Sequence, residues 1–302
     1  MTWLSASREH GSLSREIAQN VKLPHPELDF KPGTPLERRE IRVSEMDKCI
    51  RYLAYNWRGV PVSNRFSATA KEKMEKGNLI QDRVRGVLIP NYSRYWVIGW
   101  TPELLVRHHV GGVTFTGHPD GFLYEWRTGK ITSVFECKST ADYGFIQCCR
   151  ESLSNPDHYS ATYVHQTNTY AGMWNAAVPK NQVNEMTIFV YSVGGKEDKD
   201  VGAPYKEFWF AHSAKLFQED KTRLTGLFHQ VEADPEYVPD RPYEQTDWHC
   251  TGCSHFDHCY GIRRTLDPAG RSAGPGNVAE SQQSVTGRAV PRRPRAAKKS
   301  AG

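Results

Sequence analysis

The stretch that decides the fold covers residues 117–139 and reads GHPDGFLYEWRTGKITSVFECKS. Two apolar and β-branched runs flank the turn residues RTGK, and this pattern predicts two neighbouring antiparallel strands. Asp120 stands near the end of one predicted strand. Glu136 and Lys138 are two residues apart on the next strand, so their side chains project from the same face. Because the turn brings the second strand back along the first, we expect Asp120 and Glu136 to lie close together.

These three side chains are the equipment for metal-assisted hydrolysis of a phosphodiester. Asp120 and Glu136 offer the oxygen ligands that Mg²⁺ or Mn²⁺ prefers, and Lys138 can position the attacking water and offset phosphate charge. The ordinary interpretation is a solvated ion pair on an exposed strand, with Asp-Gly as a common turn. Against it, Glu136 and Lys138 interrupt an otherwise apolar strand, where charges without partners would be costly.

The segments around this stretch predict a mixed α/β domain and not a regular βαβ alternation. Ser44 followed by Asp47 resembles a helix start, and the segment EMDKCIRYLAYNW at residues 45–57 has helical spacing. Further helices are predicted at residues 68–88, 144–152 and 159–175, and from Ser213 to about Val231. Predicted strands lie at residues 95–100, 103–110, 113–126, 131–139, 186–193 and 205–211, with those before residue 140 forming an antiparallel meander.

The motifs GHPDG and FECKS resemble motifs II and III of the PD-(D/E)xK nuclease superfamily, in its RecB-like branch. Gln166 and Tyr170 are similar to the Q-x-x-x-Y pair that follows on a helix in that branch, and at this spacing they share a helix face. The resemblance implies a restriction-endonuclease-like core, with a mixed central sheet flanked by helices. It also implies that the Cys137 backbone carbonyl contacts the metal, and that Gln166 and Tyr170 position DNA or brace Lys138.

The first motif departs from the family pattern. Many RecB-like nucleases have a histidine metal ligand four residues after a helical glycine, whereas here Gly77 is followed at that distance by Gln81. Gln81 could ligate through its carbonyl oxygen or through water, more weakly than imidazole. Asp82 lies about 100° further around the helix and cannot simply replace it. We expect this departure to affect metal affinity and metal choice more than the class of reaction.

A second cluster of candidate ligands lies near the end of the chain. Cys250, Cys253 and Cys259 follow the spacing C-x2-C-x5-C and need a fourth ligand. The spacing alone favours a structural zinc site that uses His255 or His258 as that ligand, since Cys₃His sites are common.

The resemblance points to a different metal centre. One RecB-like subgroup, which includes the CRISPR-associated exonucleases, holds a [4Fe–4S] cluster with three cysteines after the nuclease core and one before it. The earlier cysteine begins a helix with the pattern C-x-R, and Cys49-Ile-Arg51 is similar. The resemblance therefore implies that Cys49, Cys250, Cys253 and Cys259 bind an iron–sulfur cluster joining the N- and C-terminal segments. Zinc remains the alternative.

The charge of the chain is divided unevenly. The 302 residues carry a net charge of +5, but residues 261–302 hold nine Lys or Arg and two acidic residues, so this segment carries +7 and the preceding part −2. All 34 aromatic residues precede it as well. A segment with so little apolar surface cannot offset its ordering entropy. We therefore expect one nuclease domain over residues 1–265 and a disordered basic tail over residues 266–302.

Composition also bears on the location of the protein. The mean hydropathy is −0.64 and no long apolar run is present, so no transmembrane helix is expected. The first residues have no apolar segment typical of a secretory signal. Seven cysteines, an odd number, argue against a disulfide framework and for a reducing compartment. We expect a cytoplasmic protein, and a bacterial or phage source fits the resemblance.

The resemblance implies a metal-dependent DNA exonuclease that acts on single strands or DNA ends during recombination, repair or genome processing. Its expected partners are DNA and a recombination or replication protein. The alternative is a nuclease fold that has lost catalysis and binds DNA ends, and Gln81 in place of histidine favours it. A third possibility is an interaction scaffold held together by zinc.

Overall fold

The computed structural model describes residues 33–62, 68–99, 104–151, 153, 161–197, 199, 202–251 and 253–261. These residues belong to one compact unit that ends at Gly261. The predicted basic tail at residues 266–302 lies outside the described residues.

Two sheets are formed by the eight strands of the described residues. The strands are β1 (Glu40–Arg42), β2 (Tyr95–Ile98), β3 (Val106–Val110), β4 (Val113–Gly117), β5 (Gly121–Glu125), β6 (Lys130–Thr140), β7 (Glu185–Ser192) and β8 (Tyr205–Ala211). The larger sheet has the order β2-β5-β6-β7-β8, in which β6 and β7 are parallel and the other pairs antiparallel. The smaller sheet has the order β1-β4-β3, with β1 parallel and β3 antiparallel to β4.

Helices cover both faces of the larger sheet. They are α1 (Ile50–Trp57), α2 (Ala68–Arg83), α3 (Ile89–Tyr92), α4 (Asp142–Glu151), α5 (Ala161–Ala177), α6 (Ala214–Ala233), α7 (Trp248–Thr251) and α8 (Phe256–Tyr260). A π-helical turn, Val84–Leu88, connects α2 directly to α3. Helix α2 packs against β6, and α5 packs against β6, β7, β3 and α6. The predicted mixed α/β architecture is confirmed.

Strand β6 is the centre of the molecule. Its residues from Ser133 to Cys137 are all buried, and it lies between β5 and the parallel strand β7. A strand that is covered on both faces requires a continuous run of buried residues, and the sequence SVFEC at residues 133–137 supplies it. Cys137 packs with Phe135 and with Val84 of the π-helical turn in the hydrophobic core. Val134, two residues before Glu136, belongs to the core on the α5 side.

The predicted strand at residues 113–126 and the predicted meander were wrong in one respect. The segment divides into β4 and β5, which belong to different sheets. Pro119 cannot donate a backbone hydrogen bond, and Gly121 has φ 149°, a conformation that residues with a Cβ rarely adopt. Together they end one strand and redirect the chain into the next.

The first predicted helix also differs in its start. A short strand, β1, and a 3₁₀ turn at Val43–Glu45 occupy the segment where a helix start was expected at Ser44. The helix begins only at Ile50, with Cys49 as its N-cap residue. Helix α6, in contrast, begins as predicted, because the Ser213 hydroxyl accepts a hydrogen bond from the Leu216 N–H at 3.2 Å.

Candidate active site

The site begins where β5 and β6 separate. Their ladder ends with the pair Gly121 and Phe135, and continuing the register would set Pro119 opposite Cys137. Because Pro119 has no N–H, the backbone of Cys137 is bound here by side chains. The Cys137 N–H donates to Asp120 Oδ2 at 2.8 Å, and the Cys137 carbonyl accepts from Gln81 Nε2 at 2.8 Å. The separation of the strands thus brings Asp120 and Gln81 to the backbone of the same residue.

Glu136 and Lys138 point to the opposite face of β6, toward α5. Glu136 is only 2% exposed, and its Oε1 accepts hydrogen bonds from Lys138 Nζ and, at 3.0 Å, from Gln166 Nε2. Its other oxygen, Oε2, is buried and has no hydrogen-bond partner among the described residues. A buried carboxylate oxygen in this condition costs free energy, and a cation would satisfy it.

Electrostatic interactions link the two carboxylates of the site to Lys138. Burial raises the pKa of Glu136 to about 7, and the negative charge of Asp120 raises it as well, whereas Lys138 opposes both effects. Burial by itself would lower the pKa of Lys138, but the charges of Glu136 and Asp120 raise it above the ordinary value. Two carboxylates therefore act on one ammonium group.

Helix α5 contributes a row of side chains at Tyr163, Gln166 and Tyr170. Gln166 Nε2 lies 3.4 Å from the Tyr170 hydroxyl in addition to its bond with Glu136. The ammonium of Lys138 lies 5.6 Å from the centre of the Tyr163 ring. Tyr163 was not among the predicted site residues, although its spacing of three and seven residues from Gln166 and Tyr170 places it on their helix face.

Tyr170 is buried beneath β4. Burial raises the pKa of its hydroxyl, and the charge of Glu136 acts in the same direction, so the phenol stays neutral. Its ring packs directly on Gly117: a Cβ at that position would lie 2.6 Å from Tyr170 Cε1. The first glycine of GHPDG is therefore required because the Tyr170 ring leaves no room for a side chain at this position.

Arg85 is a second residue that was not predicted. It lies in the π-helical turn, is 5% exposed, and its Nη1 donates to the Asp120 carbonyl at 3.2 Å. The same Nη1 is 3.7 Å from Asp120 Oδ1, while Nη2 donates to Asp82 Oδ1 at 3.1 Å. The signal in the sequence was its position four residues after Gln81, on the same helix face. Asp82 is directed to Arg85, in agreement with the expectation that it does not replace Gln81.

The oxygen atoms gathered here suit a hard divalent cation. Asp120 and Glu136 supply carboxylates and Cys137 a carbonyl, while the unpartnered Oε2 of Glu136 offers a free ligand atom. In the part of the chain that the structure describes, no three His, Cys, Asp or Glu side chains form a metal-binding group. Two carboxylates and a carbonyl fit Mg²⁺ or Mn²⁺, because such ions keep several waters.

Comparisons with known proteins found similar folds among exonucleases. No protein-family model matches the chain, and no curated protein matches it. The alkaline exonuclease LHK-Exo from Laribacter hongkongensis has a TM-score of 0.41 and 15% identity over 67% of this chain and 92% of that one. LHK-Exo in complex with dAMP has a TM-score of 0.45 and 17% identity, with the same coverage of 67% and 92%.

A phage-related exonuclease from Haemophilus somnus 129PT is also similar, with a TM-score of 0.29 and 12% identity over 64% of this chain and 94% of that one. All three scores lie below 0.5, so the interpretation of the site rests on its own geometry.

The four predicted cluster cysteines come from both ends of the described chain. Cys49 precedes α1, and Cys250, Cys253 and Cys259 lie in the segment that contains α7 and α8. Burial raises the pKa of Cys253 and of Cys259, and the thiols of Cys49 and Cys250 raise both further, so thiols from the two ends interact electrostatically. Their sulfur atoms do not form a metal-binding group among the described residues, and Cys250 Sγ lies 3.5 Å from the Tyr260 hydroxyl.

The candidate zinc ligand His255 lies beside these cysteines. It is 1% exposed, and neither ring nitrogen has a hydrogen-bond partner among the described residues. Its ring is 5.2 Å from that of Tyr52 and 6.4 Å from that of His258. Burial lowers its pKa, so the imidazole is neutral and chemically able to bind a metal. Thiols and a neutral imidazole are the donor types that a thiophilic metal takes, although their positions form no metal-binding group among the described residues.

Within the described residues, no helix combines the length and the apolar character needed to cross a lipid bilayer.

Proposed function

We propose that the protein is a metal-dependent deoxyribonuclease of the PD-(D/E)xK superfamily, in its RecB-like branch, which removes nucleotides from single strands or DNA ends. The observation that carries the proposal is the buried Glu136, whose Oε2 has no partner among the described residues while Oε1 is held by Lys138 and Gln166. Beside Asp120, this buried carboxyl group can serve as a ligand of a divalent cation, and the neighbouring Lys138 can serve phosphoryl chemistry.

In the proposed mechanism Asp120, Glu136 and the Cys137 carbonyl would hold Mg²⁺ or Mn²⁺. The bound ion would polarise the phosphate and lower the pKa of a water. Lys138 is held by Glu136 on one side and by the Tyr163 ring on the other. Its ammonium is thus fixed where it can orient the attacking water and offset the charge that develops on the phosphate oxygens.

Gln166 and Tyr170 position these groups in the proposed mechanism. Gln166 donates to the same Glu136 oxygen that accepts from Lys138, so it limits the rotation of the carboxylate. The neutral Tyr170 hydroxyl lies next to the Gln166 amide and supports it. Such a supporting layer keeps reactive groups within the narrow range of positions that catalysis requires.

The decisive experiment is a degradation assay on end-labelled single- and double-stranded DNA with Mg²⁺ or Mn²⁺. We expect Lys138→Ala to lower the rate by about a hundredfold or more, because it removes a preorganised charge at the reacting phosphate. Lys215→Ala is the matched control, since that side chain is 86% exposed on α6. Circular dichroism of both variants checks the fold. Full activity of Lys138→Ala would contradict the catalytic assignment.

We also propose that Cys49, Cys250, Cys253 and Cys259 bind a [4Fe–4S] cluster, as in the CRISPR-associated exonucleases, with zinc as the alternative. This assignment is supported by the electrostatic interaction between thiols from distant parts of the chain. Iron, sulfide and zinc analysis of anaerobically purified protein separates the two centres. Iron and sulfide in equal amounts, with a brown colour that Cys250→Ala removes, would support the cluster. Zinc without iron would select the alternative.

A catalytically inactive DNA-end-binding protein is the second candidate function. It is favoured by the contacts of Gln81 and Arg85 with Asp120, which place donors around a metal-binding carboxylate. DNA binding in the presence of a chelator, without cleavage under any divalent metal, would select this function. A recombination or replication protein as an additional partner fits either candidate.

A further inference from the structure

Gln81 lies between two of the proposed metal ligands. Its Nε2 donates to the Cys137 carbonyl at 2.8 Å and lies 3.4 Å from Asp120 Oδ2. We propose that Gln81 is a gate on the metal site: its amide nitrogen occupies the position between these oxygens that a divalent cation would take. The inference rests on the proposed function, and it assigns Gln81 a role opposite to that of a ligand.

The chemistry of the amide supports a gate with two states. An amide has a donating NH₂ end and an accepting carbonyl end. Two acceptors face Gln81, so the NH₂ end points inward and satisfies both. The reversed amide would set Oε1 against the Asp120 carboxylate and the Cys137 carbonyl, an arrangement that is unfavourable unless a cation lies between them. Metal binding therefore requires the NH₂ end to withdraw from both oxygens.

The Asp120 carboxylate keeps its position without the Gln81 amide. Asp120 Oδ2 accepts from the Cys137 N–H at 2.8 Å, and Arg85 Nη1 lies 3.7 Å from Oδ1. Asp120 is thus oriented by donors other than Gln81, and the loss of the amide contact would leave its carboxylate in place. The Oε2 of Glu136, in contrast, has no partner among the described residues.

The position of α2 explains how the amide reaches β6. A Cβ on Gly77 would lie 2.8 Å from Ser139 Oγ, so the helix approaches the strand closely at the glycine. One turn later, on the same helix face, Gln81 comes to the level of Cys137. The spacing of Gly77 and Gln81 therefore sets the depth at which the amide enters the site.

A gate and a ligand predict opposite effects on metal affinity. If the amide competes with the cation, Gln81→Ala removes the competitor and the dissociation constant for Mn²⁺ falls by about fivefold, the effect of one net hydrogen bond. If Oε1 is a ligand, the same substitution raises the dissociation constant. Leu79→Ala is the matched control, because Leu79 lies on the same helix with 70% exposure.

The experiment titrates Mn²⁺ into the metal-free full chain and follows free Mn²⁺ by electron paramagnetic resonance. Tighter binding by Gln81→Ala, with Leu79→Ala like the native chain, supports the gate. Unchanged or weaker binding by Gln81→Ala overturns the gate while the proposed function stands. No binding by the native chain or any variant overturns the proposed function and the gate together.

Thermal unfolding provides the second readout. Without metal, Gln81→Ala should melt below the native chain because two hydrogen-bond contacts are lost. At the same saturating Mn²⁺ concentration it should gain more stability than the native chain, since the gain grows with the logarithm of the ligand concentration divided by the dissociation constant. If Gln81→Ala does not fold, Gln81→Met takes its place, because it keeps the length of the side chain without its donor. The same results then support or overturn the gate.

Discussion

At the scale of single residues, the environment of Lys138 explains how a flexible side chain is held still. A lysine has four rotatable bonds and usually a mobile ammonium group. Here Glu136 binds the ammonium from one side, and the Tyr163 ring lies 5.6 Å away on the other. The attraction between an ammonium and an aromatic face is worth about 0.5–2 kcal/mol, depending on desolvation. Tyr163 is therefore a positioning residue for the proposed chemistry.

The ring, and not the hydroxyl, of Tyr163 should carry this effect. We expect Tyr163→Leu to lower kcat by about tenfold with KM little changed, because the loss of the ring contact frees the ammonium. Tyr163→Phe should retain most of the activity. Steady-state kinetics on end-labelled DNA checks both variants.

The pair of Tyr163 variants separates positioning from packing. Equal losses in the two variants would contradict a role for the ring face and indicate that the hydroxyl is needed. Native kinetics in Tyr163→Leu would show that Glu136 alone fixes the lysine.

At the scale of elements, the contact between β4 and α5 depends on the size of residue 117. Gly117 ends β4, and the Tyr170 ring fills the space that a Cβ would need. This contact fixes the distance between the smaller sheet and the helix that carries Gln166 and Tyr170. Any larger residue must displace one of them, because packed interiors have no free volume at this scale.

Gly117→Ala should therefore harm both stability and activity. We expect the free energy of unfolding to fall by about 1–3 kcal/mol, the usual cost of overpacking, and DNA degradation to slow because Tyr170 shifts. Urea unfolding and the degradation assay measure the two effects. Gly226→Ala is the control: a Cβ there meets no atom within 4 Å, and α6 should gain about 0.5–1 kcal/mol. Native stability of Gly117→Ala would refute the close-packing argument.

Whether a contact in the site could be predicted from the sequence depends on how far apart its two residues are along the chain. Asp120, Glu136 and Lys138 came together as expected, because a short turn and the alternation of strand side chains are local properties. Gln81 and Arg85 reach Asp120 from a helix almost forty residues away, and nothing local indicates how deeply that helix packs. The approach depends on Gly77 against Ser139, a contact that only the folded chain reveals.

The division of residues 113–126 into two strands was hidden for a similar reason. Both halves have strand composition, so periodicity describes one long strand. The partner of β4 on one side is β1, a strand of three residues from the start of the described chain. A three-residue parallel pairing is too short to leave a pattern of its own. Pro119 and Gly121 were visible as turn residues, yet their effect on sheet membership depends on tertiary pairing.

At the scale of the whole molecule, a cluster of charges ties three distant segments together. His165 Nδ1 on α5 lies 2.8 Å from Asp220 Oδ2 on α6 and 4.0 Å from Asp47 Oδ1, which precedes α1. Arg223 contacts Asp220 and donates to the Met46 carbonyl at 3.1 Å. The hydrogen bond with Asp220 raises the pKa of His165 against the effect of burial. The cluster therefore couples the protonation of one histidine to the packing of the domain.

This coupling predicts a pH dependence of stability. Because the folded state binds the His165 proton more tightly than the unfolded state does, its stabilising effect is complete below the unfolded pKa near 6.5 and disappears as the pH rises through the folded pKa. We expect the free energy of unfolding to decline above pH 6.5, and His165→Gln to reduce that decline. Urea unfolding at several pH values measures it.

The control for this effect is His229→Gln. His229 is a residue of α6 and pairs with Glu232, but its side chain is 42% exposed. The decline with pH should persist in this variant. An unchanged decline in His165→Gln would contradict the assignment to the cluster.

The early end of the β5–β6 ladder has a consequence for how the molecule can be observed. The amide proton of Cys137 lies in the buried part of β6, yet its acceptor is the Asp120 carboxylate and not a neighbouring backbone carbonyl. A cation that draws on the same carboxylate weakens that bond while the flanking amides of β6 remain paired with β7. Isotope exchange at this one amide is therefore an internal reporter of the state of the site, read without any substrate.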